Sequence, residues 1–103
     1  MPLTKIAVLA TLDSKSEAAT YMCDVLKGLG VEPWLMDLSL KPHGIVGADI
    51  GGDALAAKSG SRWTDVGEME RSEAAETMIK GGTEALVAAY DAGEISGAIA
   101  VGG

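Results

Sequence analysis

The chain has 103 residues with a formal net charge of −7, and 48% of them are hydrophobic. This length is enough for one small domain, and the apolar content predicts a folded core rather than a disordered chain. Because the charge is negative and the lysines and arginines are scattered singly, we expect no nucleic-acid partner and no binding to anionic membranes.

Cysteine content and hydropathy restrict the compartment. Cys23 is the single cysteine, which excludes an internal disulfide and a multi-cysteine metal site. The first residues enter a strand pattern without the basic and apolar regions of a signal peptide. No apolar run reaches the ~18 residues that span a membrane. We therefore expect a cytoplasmic protein without a metal site of its own.

The first half of the chain reads as a strand, a helix and a second strand. Residues 6–10 are continuously apolar, as in a strand buried on both faces. Ser14 and Glu17 form a capping-box pattern that predicts the start of a helix. Residues 31–38 predict a second strand, and Pro33 near its start indicates an edge position. The predicted apolar face of the helix consists of Ala18, Met22, Val25, Leu26 and Leu29.

The second half reads as a glycine-rich loop, a long helix and a third strand. Residues 39–52 are a loop, 53–58 a short helical turn and 60–67 another loop. A helix is predicted over 68–92, where Gly82 lies on the apolar stripe and indicates close packing against the sheet. A strand over 97–101 follows and leads into Gly102 and Gly103. The predicted stripe is Ala75, Met78, Ile79, Gly82, Ala85, Leu86 and Ala89.

This alternation predicts an α/β fold. We expect a Rossmann-like three-stranded parallel sheet in the order 2-1-3 with flanking helices, formed by residues 1–103 as a single domain. Because the chain stops where such a fold would turn into its next helix, we expect a fragment of a larger doubly wound domain.

The candidate ligand site lies at the carboxyl ends of the strands, where open parallel sheets bind ligands. Lys15 and the start of the first helix favour an anion, Asp37 is placed to bond a ribose, and the terminal glycines let backbone approach a ligand. The candidate nucleotide-binding residues are Thr11, Asp13, Ser14, Lys15, Asp37, Gly102 and Gly103.

A structural alternative exists for each of these residues. Ser14 can cap the helix, Asp13 can turn the chain, and Lys15 and Asp37 can be solvated. The segment after the first strand has no glycine and matches neither the dinucleotide fingerprint nor the P-loop. Cys23 is predicted to be a buried apolar residue, and His43, which has no partner at metal-ligand spacing, a surface residue. No set of catalytic residues can be defined.

Residues 10–16, Ala-Thr-Leu-Asp-Ser-Lys-Ser, resemble a family signature, Gly-Thr-Leu-Asp-Thr-Lys-Gly. The signature is that of the ATP-binding domain family typified by the tomato tobamovirus-resistance protein. The resemblance extends along the whole chain but covers only the N-terminal quarter of those proteins. Ala10, Ser14 and Ser16 depart from the signature. It implies ATP as ligand. In the nucleotide hypothesis, Asp13 or Asp37 would hold the ribose or a bound Mg²⁺. The matching positions are Thr11, Asp13, Ser14, Lys15, Gly102 and Gly103.

Three hypotheses for function follow. The first is a nucleotide-binding module for ATP, and the second is part of an enzyme acting on a small anionic metabolite. The third is a structural or interaction domain without a ligand. Stabilisation by ATP, by another metabolite or by neither would discriminate between them.

We also expect a homo-oligomer. The uncharged third strand presents an uncovered sheet edge, and small residues on the long helix, Gly82, Ala85 and Ala89, permit close packing by a neighbour. A two-fold dimer through strand three or the adjacent helix face is the predicted form.

Overall fold

The structure is a computed structural model, and it describes residues 4–102. The elements in chain order are β1 (Lys5–Ala10), α1 (Leu12–Gly28), β2 (Glu32–Asp37), α2 (Gly52–Lys58), α3 (Trp63–Val66), α4 (Arg71–Asp91) and β3 (Gly97–Ala100).

The three strands form one parallel sheet in the order β2-β1-β3. Val8 of β1 pairs with Leu35 of β2 on one side and with Ile99 of β3 on the other. Ala7 and Val8 are fully buried, which explains why the central strand is apolar without alternation. The predicted α/β class and the strand order 2-1-3 are confirmed.

Helices cover both faces of the sheet. On one face, Cys23 and Leu26 of α1 pack against Val8. On the other face, Met36 of β2 packs with Leu55 of α2 and Met78 of α4. Because the chain has no phenylalanine, both cores are built chiefly from aliphatic side chains and methionine.

The buried face of α1 is shifted by about one position along the sequence from the predicted face, and the two sets share only Leu26 among the described residues. The helix begins at Leu12 with Thr11 as its N-cap, and no side chain caps it. The predicted capping role of Ser14 is therefore wrong, and its hydroxyl contacts Thr11 Oγ1 at 3.0 Å instead. Lys15 has non-helical angles, φ −125° and ψ 22°, and kinks the helix. The buried residues are Leu12, Ala19, Cys23 and Leu26.

The long helix is rotated slightly from its predicted orientation. α3 occupies part of the predicted loop, and α4 begins at Arg71 rather than at residue 68. Ile79, predicted to be in the core, is 61% exposed. Gly81 is buried in its place, because the backbones of α2 and α4 meet there. The apolar stripe in the sequence is thus wider than the face that α4 buries.

The two outer edges of the sheet differ. Residues 49–50 run along β2, where Leu35 N–H donates to Asp49 Oδ2 at 2.7 Å and Asp37 N–H donates to the Ile50 carbonyl at 3.0 Å. The outer edge of β3 pairs with no other strand within residues 4–102. None of the described helices is both long enough and apolar enough to cross a membrane.

Cys23 is buried as predicted, and burial raises the pKa of its thiol, partly offset by the charge of Lys27. The unfolded chain therefore releases this proton at a lower pH than the folded chain. The free energy of unfolding should then fall as pH rises above the usual thiol value near 9.0. Urea denaturation at pH 7.5 and 9.5 should show a smaller fall for Cys23→Ala than for the wild type, and equal falls would contradict this.

Candidate functional site

Asp37 is the centre of a buried hydrogen-bond network. It ends β2 and is 2% exposed. Its Oδ1 accepts from Leu12 N–H at 3.2 Å, from Ser39 N–H at 3.0 Å and from Ser39 Oγ at 2.6 Å. Its Oδ2 lies 2.6 Å from His43 Nε2. We call Asp37, Ser39, His43 and their partner Trp63 the Asp37 network.

His43 belongs to this network, so the prediction of a surface residue is wrong. Its side chain is 11% exposed and its ring stands edge-on to Trp63, with centroids 5.2 Å apart. Ile45 N–H donates to Nδ1 at 3.0 Å, which leaves the ring proton on Nε2, where it is donated to Asp37. Because both ring nitrogens are engaged, His43 fixes the loop after β2 and is not placed as a free base.

Ser39 and Trp63 extend the network to two helices. Ser39 is fully buried, and its hydroxyl accepts from Asp13 N–H at 3.1 Å, at the start of α1. Trp63 Nε1–H donates to the Ser39 carbonyl at 2.9 Å, at the start of α3. The network therefore fixes the end of β2 against α1 and α3.

These contacts occupy the N-terminus of α1. The N–H of Leu12 donates to Asp37 and that of Asp13 donates to Ser39. The N–H groups of Ser14 and Lys15 donate to the Thr11 carbonyl at 3.1 and 2.8 Å. In this structure the N–H groups that the sequence offered to an anion are thus bonded within the chain. An anion at this end of the sheet must therefore be held mainly by side chains.

An open cleft of about 520 Å³ lies beyond the carboxyl ends of β1 and β2. Thr11 and Ser14 contribute hydroxyls, and Lys41 and Arg71 contribute positive charges. Asp13 is the one carboxylate among the described residues that line it. The complete lining is Thr11, Asp13, Ser14, Leu40, Lys41, Val66, Gly67, Met69, Arg71 and Ala74.

The predicted site residues are only partly brought together. Thr11, Asp13 and Ser14 line the cleft, whereas Lys15 lies beside a separate shallow depression on α1. Asp37 is buried in its network. Gly102 is exposed beyond β3, away from the cleft lining, and Gly103 lies outside the described residues. The cleft is on the β2 side of β1, because its lining includes Leu40 and Lys41 of the loop after β2 and no residue of β3.

The sequence interpretation missed the two cations and Ser39. Lys41 and Arg71 are thirty positions apart, and no local pattern links them. Ser39 had a usable signal, because Asp37 stands two residues before it at a strand end, a common spacing for side-chain to backbone turns.

The chain was compared with known proteins. No curated protein and no solved structure matches it. One family profile, described as "Uncharacterised protein family (UPF0261) N-terminal domain", matches residues 4–103. The predicted membership of the tomato resistance-protein family is therefore wrong. The seven-residue signature of that resemblance has three substitutions, at Ala10, Ser14 and Ser16, whereas the family profile matches residues 4–103. The chain belongs to the uncharacterised protein family UPF0261 and corresponds to its N-terminal domain.

Proposed function

We propose that the cleft beyond β1 and β2 binds a phosphate-bearing nucleotide, with ATP as the first candidate. One observation carries the proposal: two cationic side chains, Lys41 and Arg71, line the same cleft as an apolar wall. A nucleotide has the matching halves, a polyanion and a flat, weakly polar base.

The anionic half of the ligand would meet Lys41 and Arg71. Arginine binds phosphate oxygens in a bidentate way and lysine acts as a point charge. The hydroxyls of Thr11 and Ser14 lie on the same cleft and add donors. This arrangement offers a positive patch on a chain whose net charge is −7, so it would favour an anion where the surface in general repels one.

The base would lie on the apolar part of the cleft, where Leu40 and Met69 are partly exposed and Val66 and Ala74 are buried. Small-molecule sites are typically ~300–1,000 Å³ and mostly apolar, with a few polar groups that orient the ligand. The cleft of about 520 Å³ falls within that range.

Asp13 would hold Mg²⁺ if the ligand carries it. Mg²⁺ commonly takes one or two carboxylates and completes its shell with phosphate oxygens and water. Asp13 lines the cleft with an exposed side chain, and its backbone N–H donates to the Ser39 hydroxyl at 3.1 Å, which positions the residue at the start of α1. Asp37 would act indirectly, by holding the loop that carries Lys41.

A small anionic metabolite is the competing ligand, because it would use the same cations without the apolar wall. Calorimetric titration with MgATP, adenosine and inorganic triphosphate separates the two. Binding of MgATP above both fragments supports the nucleotide. Equal binding of triphosphate and MgATP would support a metabolite site instead. If none of the three compounds binds in calorimetry or shifts the thermal unfolding midpoint, the proposal is contradicted and a structural domain is favoured.

Lys41→Ala and Arg71→Ala should each weaken MgATP binding by roughly tenfold. A hydrogen bond to a charged group is worth about 1.5–3 kcal/mol, and solvent screening reduces it at these exposed residues. Lys58→Ala, at the end of α2 and away from the cleft lining, is the matched control. Lys15→Ala tests the residue chosen from the sequence. If Lys15→Ala alone loses binding, the anion binds at the depression on α1 and not in the cleft.

A further inference from the structure

We propose that Gly67 is a positioning residue of the cleft, because its lack of a side chain lets the loop that carries Lys41 lie against the end of α3. Gly67 and Lys41 both line the cleft, as does Arg71. This role rests on the proposed function, since the position of Lys41 matters only if the ligand carries an anionic group that meets it. The close approach at Gly67 explains how two cations from distant parts of the sequence face the same cleft.

The backbone conformation at Gly67 does not itself require glycine. Gly67 follows directly after α3 with φ −62° and ψ −20°, which are right-handed helical angles that other residues adopt without strain. It is not among the glycines with positive φ in the part of the chain that the structure describes. What glycine provides at this position is therefore space.

A side chain at Gly67 would meet the loop after β2. A Cβ atom there would lie 3.0 Å from Pro42 Cδ, 3.5 Å from the Thr64 carbonyl oxygen and 3.7 Å from Lys41 Cα. The first of these distances is shorter than the optimal separation of two carbon atoms, about 3.5–4.0 Å. Because the ring of proline is closed onto its own backbone, Pro42 cannot relieve the contact by turning its side chain away. An alanine at this position would therefore displace the backbone of the loop.

The Asp37 network holds this loop on both sides of the contact. Before the contact, Ser39 is fully buried and its carbonyl accepts a hydrogen bond from the first residue of α3 at 2.9 Å. After the contact, His43 Nε2 lies 2.6 Å from Asp37 Oδ2. The displacement is thus confined to residues 40–42, and Lys41 is the charged residue among them.

Arg71 would not move with Lys41, because it belongs to a different segment. It is the first residue of α4, whereas Lys41 lies in the loop after β2. In Gly67→Ala the loop must give by a few tenths of an ångström, so the position of Lys41 relative to Arg71 changes. The flexible stem of lysine recovers part of this shift. The effect on an anionic ligand should therefore be smaller than the effect of removing Lys41.

Calorimetric titration with MgATP tests this role. Gly67→Ala should weaken binding by about threefold, well below the loss of about a hundredfold that a misplacement of ~1 Å can cause. Gly44→Ala is the matched control, since Gly44 lies in the same loop, is not among the glycines with positive φ and has open space around it. The affinity of Gly44→Ala should equal that of the wild type.

Pro42→Ala should suppress the defect, because it removes the Cδ atom that the new Cβ would meet. Pro42 is exposed, so this change leaves the core intact. When Pro42→Ala is the reference, adding Gly67→Ala should not weaken binding further. A double-mutant cycle of this kind isolates the contact between the two positions.

A second cycle identifies Lys41 as the displaced group. Lys41→Ala, which should cost roughly tenfold in the wild type, should cost only about threefold in Gly67→Ala, because part of its contribution is already lost. Arg71→Ala should weaken binding by the same factor in both backgrounds. A general loss of structure would not distinguish between the two cations in this way.

Equal affinities of Gly67→Ala and Gly44→Ala would overturn the role of Gly67 and leave nucleotide binding intact. A defect of Gly67→Ala that persists beside Pro42→Ala, or that adds in full to Lys41→Ala, would also overturn it. If the wild type binds inorganic triphosphate but not MgATP, the nucleotide proposal fails, and the same variants titrated with triphosphate still test Gly67. If the wild type binds neither anion, both proposals are overturned.

Discussion

Replacing Asp37 with alanine is expected to destabilise the folded chain by about 3–5 kcal/mol. Asp37 is 2% exposed and accepts from the backbone of Leu12 and from both donors of Ser39. It also accepts the Nε2 proton of His43. Removing the carboxylate leaves these donors buried without an acceptor, and each such group costs about 1–3 kcal/mol. A domain of this size has about 5–15 kcal/mol in total.

Asp37→Asn should lie between the wild type and Asp37→Ala. The amide oxygen can replace Oδ1, but its NH₂ group would face the Nε2 proton of His43. Moving that proton to Nδ1 only transfers the conflict to Ile45 N–H, which donates to Nδ1. One hydrogen bond is lost in either tautomer, at a cost of about 1–3 kcal/mol.

Urea denaturation followed by circular dichroism measures this series. Asp24→Ala is the matched control, since Asp24 is exposed on α1 and surface substitutions usually change stability by less than about 0.5 kcal/mol. If Asp37→Ala were no more destabilising than Asp24→Ala, the network would contribute little to the fold. Asp37→Ala should also weaken ligand binding at the cleft, because the loop that carries Lys41 is no longer held by the Asp37 carboxylate.

The sheet was predictable because its signals are local. Residues 6–10 and 97–101 are short apolar runs, and a helical pattern separates each of them from the second strand. The strong preference for right-handed crossovers then leaves few possible strand orders. The phase of α1 was not predictable, because the helix is kinked at Lys15 and its first turn bonds to Ser39, which lies far away in the sequence.

The site was less predictable because tertiary contacts build it. Asp37 was correctly located at the end of a strand, but its burial depends on His43 and Trp63, which lie six and twenty-six positions away. Neither has a periodic pattern around it. Lys41 and Arg71 face one cleft only because α3 and α4 fold back over the loop after β2. Sequence reasoning therefore predicted the end of the sheet and three residues of the cleft, Thr11, Asp13 and Ser14. It did not predict the two cations, Lys41 and Arg71.

Gly81→Ala is expected to destabilise the chain by about 2–3 kcal/mol, although alanine is the better helix former. An added Cβ at Gly81 would overlap the Leu55 carbonyl oxygen of α2 and lie 2.8 Å from its carbonyl carbon and 2.9 Å from Ser59 Oγ. These groups cannot easily move, because the Ser59 hydroxyl links α2 to α4. It donates to the carbonyls of Leu55 and Thr77 at 3.2 and 2.6 Å. The helices must separate, and the cost of overpacking, about 1–3 kcal/mol and occasionally more, exceeds the gain of about 1 kcal/mol in helix propensity.

Two other glycines provide a graded comparison in the same urea experiment. A Cβ at Gly82 would lie 2.9 Å from Leu38 Cδ2, the end of a flexible side chain that can move, so Gly82→Ala should cost less than Gly81→Ala. Gly28, the last residue of α1, has open space around it, and Gly28→Ala should be neutral or stabilising by up to about 1 kcal/mol. The free energy of unfolding is therefore expected to be highest for Gly28→Ala, intermediate for Gly82→Ala and lowest for Gly81→Ala. If Gly81→Ala instead matched Gly28→Ala, α2 and α4 would not be in backbone contact, and the packing of α2 against the sheet would have to be different.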